Sequence, residues 1–220
     1  MRILTRASVS LVAATSVALC TVLRADPVTV QEVGVGANET VYIDSSTLGN
    51  NLHVYAGVLN LSVNGNATQG FCIDPWHWSA SGVLNYNTEA LSAAPKPPGP
   101  MGAAAATQIE QLWSQFFTPS ISNINAAALQ LEIWTIVDNA VSGGTFHLDS
   151  IDHDSVAVLA EMATMNTFLA NNPNAPTADL IAVTGAGQDY VIPNVPEGGS
   201  TIALLGLALA GMVWLRRRIR

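Results

Sequence analysis

The sequence predicts an α+β domain, an antiparallel β-rich sandwich or barrel with a helical insert, framed by an N-terminal signal peptide and a C-terminal single transmembrane helix. Three observations carry that expectation. Residues 27–73 alternate apolar and polar side chains. After the proline-rich run Ala94-Pro95-Lys96-Pro97-Pro98-Gly99-Pro100 the apolar period lengthens to that of helices. Residues 178–193 then return to short apolar strands.

The two-residue period shows in Val28 and Val30, in Val41-Tyr42-Ile43, and most clearly from Leu52 through His53, Val54, Tyr55, Ala56, Gly57, Val58, Leu59, Asn60, Leu61 and Ser62 to Val63. Gly34/Gly36 and Asn50-Asn51 read as breaks. Asn64-Gly65-Asn66 is a hairpin turn, because residues that accept positive φ match the twist of the flanking strands. The next strand spans 67–73 and carries Cys72. Residues 74–99 read as loop and hold Pro75-Trp76-His77-Trp78.

A first helix over 103–117 places Ile109, Leu112, Trp113 and Phe116 on one face, and Pro119 stops it. Ser122 or Asn123 caps a second helix that runs to about Asn139, with Ile124, Ala128, Leu131, Trp134, Ile136 and Val137 as its buried stripe. A third helix over 154–171 uses Val156, Leu159, Ala163 and Leu169. Strands at 178–185 and 189–193 close the domain, and no internal repeat is present.

Charge divides the chain sharply. Arg2, Arg6 and Arg24 precede the domain and Arg216, Arg217, Arg218 and Arg220 follow it, so Lys96 alone faces all sixteen acidic residues, from Asp26 to Glu197. Such a domain has no electrostatic basis for gripping nucleic acid or an anionic membrane surface. Its length, about 170 residues, suits one domain with a real core.

The ends explain the segregation. Arg2 and Arg6 open a basic segment, residues 7–23 are apolar or small without a charge, and cleavage is expected after Ala25, which removes Cys20 with the signal peptide 1–25. The domain is then 26–194. The other end, 195–220, reads Val195-Pro196-Glu197-Gly198-Gly199-Ser200, an apolar run over 201–215, and the arginine cluster. Fifteen helical residues reach about 23 Å, short of a hydrocarbon core of about 30 Å, so glycine, serine and arginine stems must cover the difference. Arginines after the span hold the C-terminus in the cytoplasm and leave the domain outside the inner membrane.

The Val-Pro-Glu-Gly-Gly-Ser motif, short span and arginine cluster resemble PEP-CTERM sorting signals, and the Val-Pro-acid-small form is similar to the VPDSG-CTERM variant, with Glu197-Gly198 where that variant has Asp-Ser. The resemblance implies an exosortase-type partner that cleaves near the motif and transfers the protein to the cell surface.

After processing Cys72 is the only cysteine, so no internal disulfide can form. A buried free cysteine is commonly an inert small hydrophobe. However, Phe71-Cys72-Ile73-Asp74, followed by Ala128-Leu129-Gln130-Leu131-Glu132-Ile133-Trp134, resembles the strand and helix motifs of bacterial thioester domains, which are surface adhesin modules. It departs from them at Leu129 and Glu132, where the adhesins favour Thr and Ala. The resemblance implies that the Cys72 thiolate attacks the Gln130 carboxamide, ammonia leaves, and the thioester then acylates an amine such as a surface lysine. Asp74, His77 and Trp134 are its supporting residues: His77 as a proton shuttle, Trp134 as a roof one helical turn from Gln130. His53 is a second candidate shuttle, and each histidine also reads as an ordinary surface or packing residue. No cofactor is implied.

Other readings stand beside it. With Cys72 merely packed, the chain is a passive surface or biofilm-matrix protein. With Cys72 and a histidine reactive, it is a cysteine hydrolase, although no nucleophile motif surrounds Cys72. Trp76, Trp78 and Trp113 suit packing or, on the proline-bearing loop, a polysaccharide. His147, Asp149, Asp152, His153 and Asp154 offer metal-ligand types, yet their spacing matches no calcium loop, and Asp152 or Asp154 more simply caps the third helix.

Overall fold

Two long strands organise the molecule, β1 (Asp26–Ser45) and β2 (Gly49–Val63), paired antiparallel from Val30↔Val63 to Ser45↔Gly49. The computed structural model describes residues 26–45, 49–96, 98–141, 147–149 and 155–194. The signal peptide, the sorting motif Val195 to Gly199, the 201–215 segment, and Asp152 to Asp154 lie outside these residues. Among the described residues no helix is long and apolar enough to cross a membrane.

The remaining strands are β3 (Asn66–Cys72), β4 (Leu84–Ala90), β5 (His147–Asp149), β6 (Leu180–Gly185) and β7 (Tyr190–Pro193). Their order is β2-β3-β7-β6-β4-β1-β5, with β1 also paired to β2, and every pairing is antiparallel. The pairings of six strands therefore return on themselves in a ring, and β5 extends one side of β1 at Tyr42–Asp44. Closure leaves few open edges for unwanted pairing.

Local chemistry sets these strands. Asn64 and Gly65 hold φ of 50° and 80°, as a two-residue hairpin turn requires. Asn64 also ties the turn to β1: Thr29 N donates to its Oδ1 at 2.9 Å, and its own N donates to Thr29 O at 2.8 Å. The expected breaks at Gly34/Gly36 are instead bulges within an unbroken β1, where the register slips between Glu32 and Gly34 and again between Val35 and Asn38. Asn50-Asn51 likewise bends β2 without ending it. Asn51 has φ 55° and donates its N–H to Asp44 Oδ1 at 2.6 Å.

Residues 74–99, expected as loop, contain β4 and a short 3₁₀ turn at Leu91–Ala93. Strand β4 escapes sequence reading because its face is mostly polar and only Tyr86 is fully buried.

The helical insert comprises α1 (Gly102–Phe116), α2 (Asn123–Val141) and α3 (Ser155–Asn171). Ser122 is the cap of α2, its Oγ accepting from Asn125 N at 3.2 Å. Helix α2 packs on β1, β2 and β3 on one side and on α1 and α3 on the other. Ala126 to Ile133 are consequently buried all round, as is usual for a helix enclosed by neighbours. Ile124, expected in the stripe, is exposed at the helix start. Helix α3 also differs from expectation: Val156 and Leu159 face solvent, whereas Val158 and Met165 are buried with Met162 and Leu169 packed beside them. That set follows the i, i+4, i+7, i+11 spacing of a single face.

Candidate functional site

Strand β3 loses its β2 neighbour after Gly70↔Leu59 but continues to Cys72, which pairs on the other side with Tyr190 of β7. The open side of Cys72 is filled by a side chain. Gln130 Oε1 accepts from Cys72 N at 2.9 Å, and Gln130 Nε2 donates to Cys72 O at 2.7 Å. One carboxamide thus substitutes for a missing strand, satisfying both peptide groups of the residue that bears the sulfur. Gln130 is only 1% exposed, so unpaired amide atoms there would be costly.

Beyond Cys72 the backbone folds tightly around the thiol. Asp74 N donates to Sγ at 3.2 Å, and Sγ lies 3.3 Å from Asp74 O as donor. Burial pushes the thiol well above its ordinary pKa and the Asp74 charge adds to the rise, while a hydrogen bond from Trp134 opposes it. The thiol is therefore the resting form, and attack requires a base to remove its proton.

Asp74 is itself buried, and its carboxylate grips His77: Nδ1 lies 2.9 Å from Oδ1 and 2.8 Å from Oδ2. Burial raises the Asp74 pKa, with the hydrogen bond and charge of His77 opposing. A carboxylate on Nδ1 fixes the imidazole orientation and leaves Nε2 for other partners. Gln188 secures the loop, its Nε2 donating to His77 O at 3.1 Å and Asp74 O at 3.3 Å.

These groups share one cavity of about 310 Å³, whose walls include Cys72, Gln130, Trp134, His77, His53 and Glu32. Every side chain the sequence suggested for the chemistry is here: Cys72, Gln130, His77 and Trp134 line the cavity, and Asp74 stands directly behind His77. His53 reaches it packed against Tyr42, with ring centroids 4.8 Å apart and planes tilted by 35°. Trp78 is 58% exposed on its wall, whereas Trp76 and Trp113 are buried, Trp113 against Phe71 at 5.3 Å. The sequence did not single out Glu32 or Gln188. Strand alternation marks Glu32 only as facing one side, and nothing local places it opposite residues 72 and 130.

His147–Asp149 forms β5, so part of the His/Asp-rich run is a sheet edge strand. Among the described residues no group of His, Cys, Asp and Glu is arranged to hold a metal ion.

Residues 194–219 match the VPDSG-CTERM motif. Among solved structures, the chain is similar to the thioester domain of the Staphylococcus aureus TIE protein, at 13% identity and a TM-score of 0.46, over 76% of this chain and 78% of that one. It is also similar to the N-terminal thioester domain of a surface protein from Clostridium perfringens, at 8% identity and a TM-score of 0.38, over 76% of this chain and 98% of that one. No curated protein matches the sequence.

Proposed function

We propose that the chain is an exported surface protein, sorted through its C-terminal motif, whose domain forms a thioester between Cys72 and Gln130 and passes the acyl group to an amine. The observation that carries this reading is the paired hydrogen bonding of the Gln130 carboxamide to the Cys72 backbone at 2.9 and 2.7 Å. The contact anchors the carboxamide to the backbone of the residue that bears the thiol, and Cys72 N–H already donates to the oxygen that would become an oxyanion. His77, oriented by Asp74, is the base within the same cavity. Sulfur then bonds to Gln130 Cδ, the carboxamide nitrogen leaves as ammonia with the thiol proton, and the thioester remains.

Intact mass spectrometry of the purified chain tests this directly. Thioester formation lowers the mass by about 17 Da, and both Cys72→Ala and Gln130→Ala abolish the loss. A full unmodified mass with Cys72 labelled by a thiol reagent under native conditions would sink the reading. A second reading, a passive surface protein in which Gln130 only locks α2 to β3, draws support from the burial and raised pKa of the thiol. The unmodified mass without native labelling is its signature.

A further inference from the structure

We propose that Glu32 is the receiving site for the amine: its carboxylate holds a primary alkylammonium group in the cavity beside Cys72 and Gln130 and takes a proton from it. This rests on the acyl-transfer reading above.

Glu32 lies on the wall of the cavity that Cys72, Gln130 and Trp134 also line. Ser79 and Tyr190 hydrogen-bond to its carboxylate, yet Oε2 is covered and has no hydrogen-bond partner. A covered carboxylate oxygen without a donor is expensive, and a cation entering the adjoining cavity offsets part of that cost through its charge. The backbone is shaped for this position. The β1 register slips directly after Glu32, which pairs with Leu61 while Gly34 pairs with Asn60, and a bulge of this kind re-aims side chains. The protein supplies little to neutralise the charge: the only described lysine, Lys96, is engaged by Glu89. His53 and His77 are the basic groups on the same walls.

Two further features suit a cation. Tyr55 and Trp78 line the cavity while 64% and 58% exposed, and aromatic faces attract ammonium groups. The excess of acidic residues over one lysine draws cations towards the whole domain. Burial also raises the Glu32 pKa, which makes it a better proton acceptor than an ordinary carboxylate.

The step balances. Glu32 takes one proton from the ammonium, and the freed amine bonds to Gln130 Cδ. The Cδ–Sγ bond breaks with its electron pair going to sulfur, which takes the second amine proton. An isopeptide amide, a Cys72 thiol and a protonated Glu32 result, and Glu32 returns its proton to water.

Two measurements test the assignment. In the full chain carrying Cys72→Ala, which cannot form a thioester, saturation-transfer NMR should show n-butylammonium binding that weakens about tenfold or more on adding Glu32→Gln, with n-butanol binding weakly to both. In the chain with Cys72 intact, Glu32→Gln should lower the ratio of n-butylamine to hydroxylamine capture rates by about tenfold, because hydroxylamine is uncharged at neutral pH and needs no cation site. Equal binding by the two Cys72→Ala chains, or an unchanged ratio, overturns the proposal. A chain that never loses ammonia defeats the thioester reading instead, and the NMR arm still decides Glu32. Should Glu32→Gln fail to fold, Glu32→Asp, which withdraws the charge by one methylene, must show the same selective loss.

Discussion

Gln130 holds Cys72 by both of its peptide groups, donating to its carbonyl at 2.7 Å and accepting from its N–H at 2.9 Å across 58 residues of sequence. Gln130→Ala leaves that N–H and C=O buried without partners, and the expected loss is about 2–4 kcal/mol, measured by urea unfolding. Cys72→Ala, which keeps the backbone pair, should cost only about 1–2 kcal/mol of local packing; both variants also forgo the cross-link between residues 72 and 130, so the difference between them reports the carboxamide contacts. If the two variants lose equal stability, the carboxamide is not the anchor described here.

His77 and Asp74 separate rate from stability. His77 is half-exposed but holds the buried Asp74 carboxylate, so His77→Gln, which keeps a donor for that carboxylate, should change unfolding free energy by less than about 1 kcal/mol while slowing ammonia loss, followed by mass against time, by about 10²-fold. Asp74→Ala should slow it similarly and also destabilise the 72–77 turn, since Asp74 Oδ1 accepts from Trp76 N at 3.2 Å.

Glu132 should make stability fall as pH rises. It is buried in α2, where Asn166 Nδ2 donates to its Oε2 at 3.0 Å, and burial lifts its pKa from 4.5 to about 7. Between those values the folded chain keeps a proton that the unfolded chain has released. The stabilisation is therefore complete below pH 4.5, is lost progressively towards pH 7, and amounts to about 3 kcal/mol. Thermal unfolding across this range should show the decline, and Glu132→Gln should remove the part of it closest to pH 7. A slope of comparable size at the acidic end should persist, because burial also raises Asp189 from 3.8 to about 6.

Gly57 faces the second bulge of β1. It has φ +150°, and a Cβ there would stand 2.6 Å from Asn38 Cα and meet the Ala37 carbonyl. Gly57→Ala should cost more than about 2 kcal/mol by denaturant unfolding, whereas Gly65→Ala in the hairpin turn, with open space around it, should cost less.

The parts of the fold legible in the sequence are those fixed by neighbours in the chain. The Asn64-Gly65 turn and the Ser122 cap follow from residue types that few other conformations want. Strand β4 and the buried face of α3 were not legible, because partners distant in sequence decide which of their side chains are covered. Tyr86 is buried beside β6 although its strand reads as polar, and Leu159 is exposed although it is apolar. The site divides in the same way. Cys72 and Gln130 stand in short, recognisable motifs. Glu32 reaches them only because ring closure and a bulge carry β1 to the same cavity, and neither feature has a signature at position 32.

The substitution of Gln130 for a missing strand also has a consequence for chain entropy. A covalent bond between residues 72 and 130 would be a cross-link between β3 and α2, closing a loop of the size that their separation of 58 sets. By the usual loop-closure relation such a link restricts the unfolded ensemble by about 4 kcal/mol. Capture of an amine would cut that link at the moment the new bond forms. The domain would then become easier to unfold as soon as it is attached, so its melting temperature before and after capture would itself report the reaction.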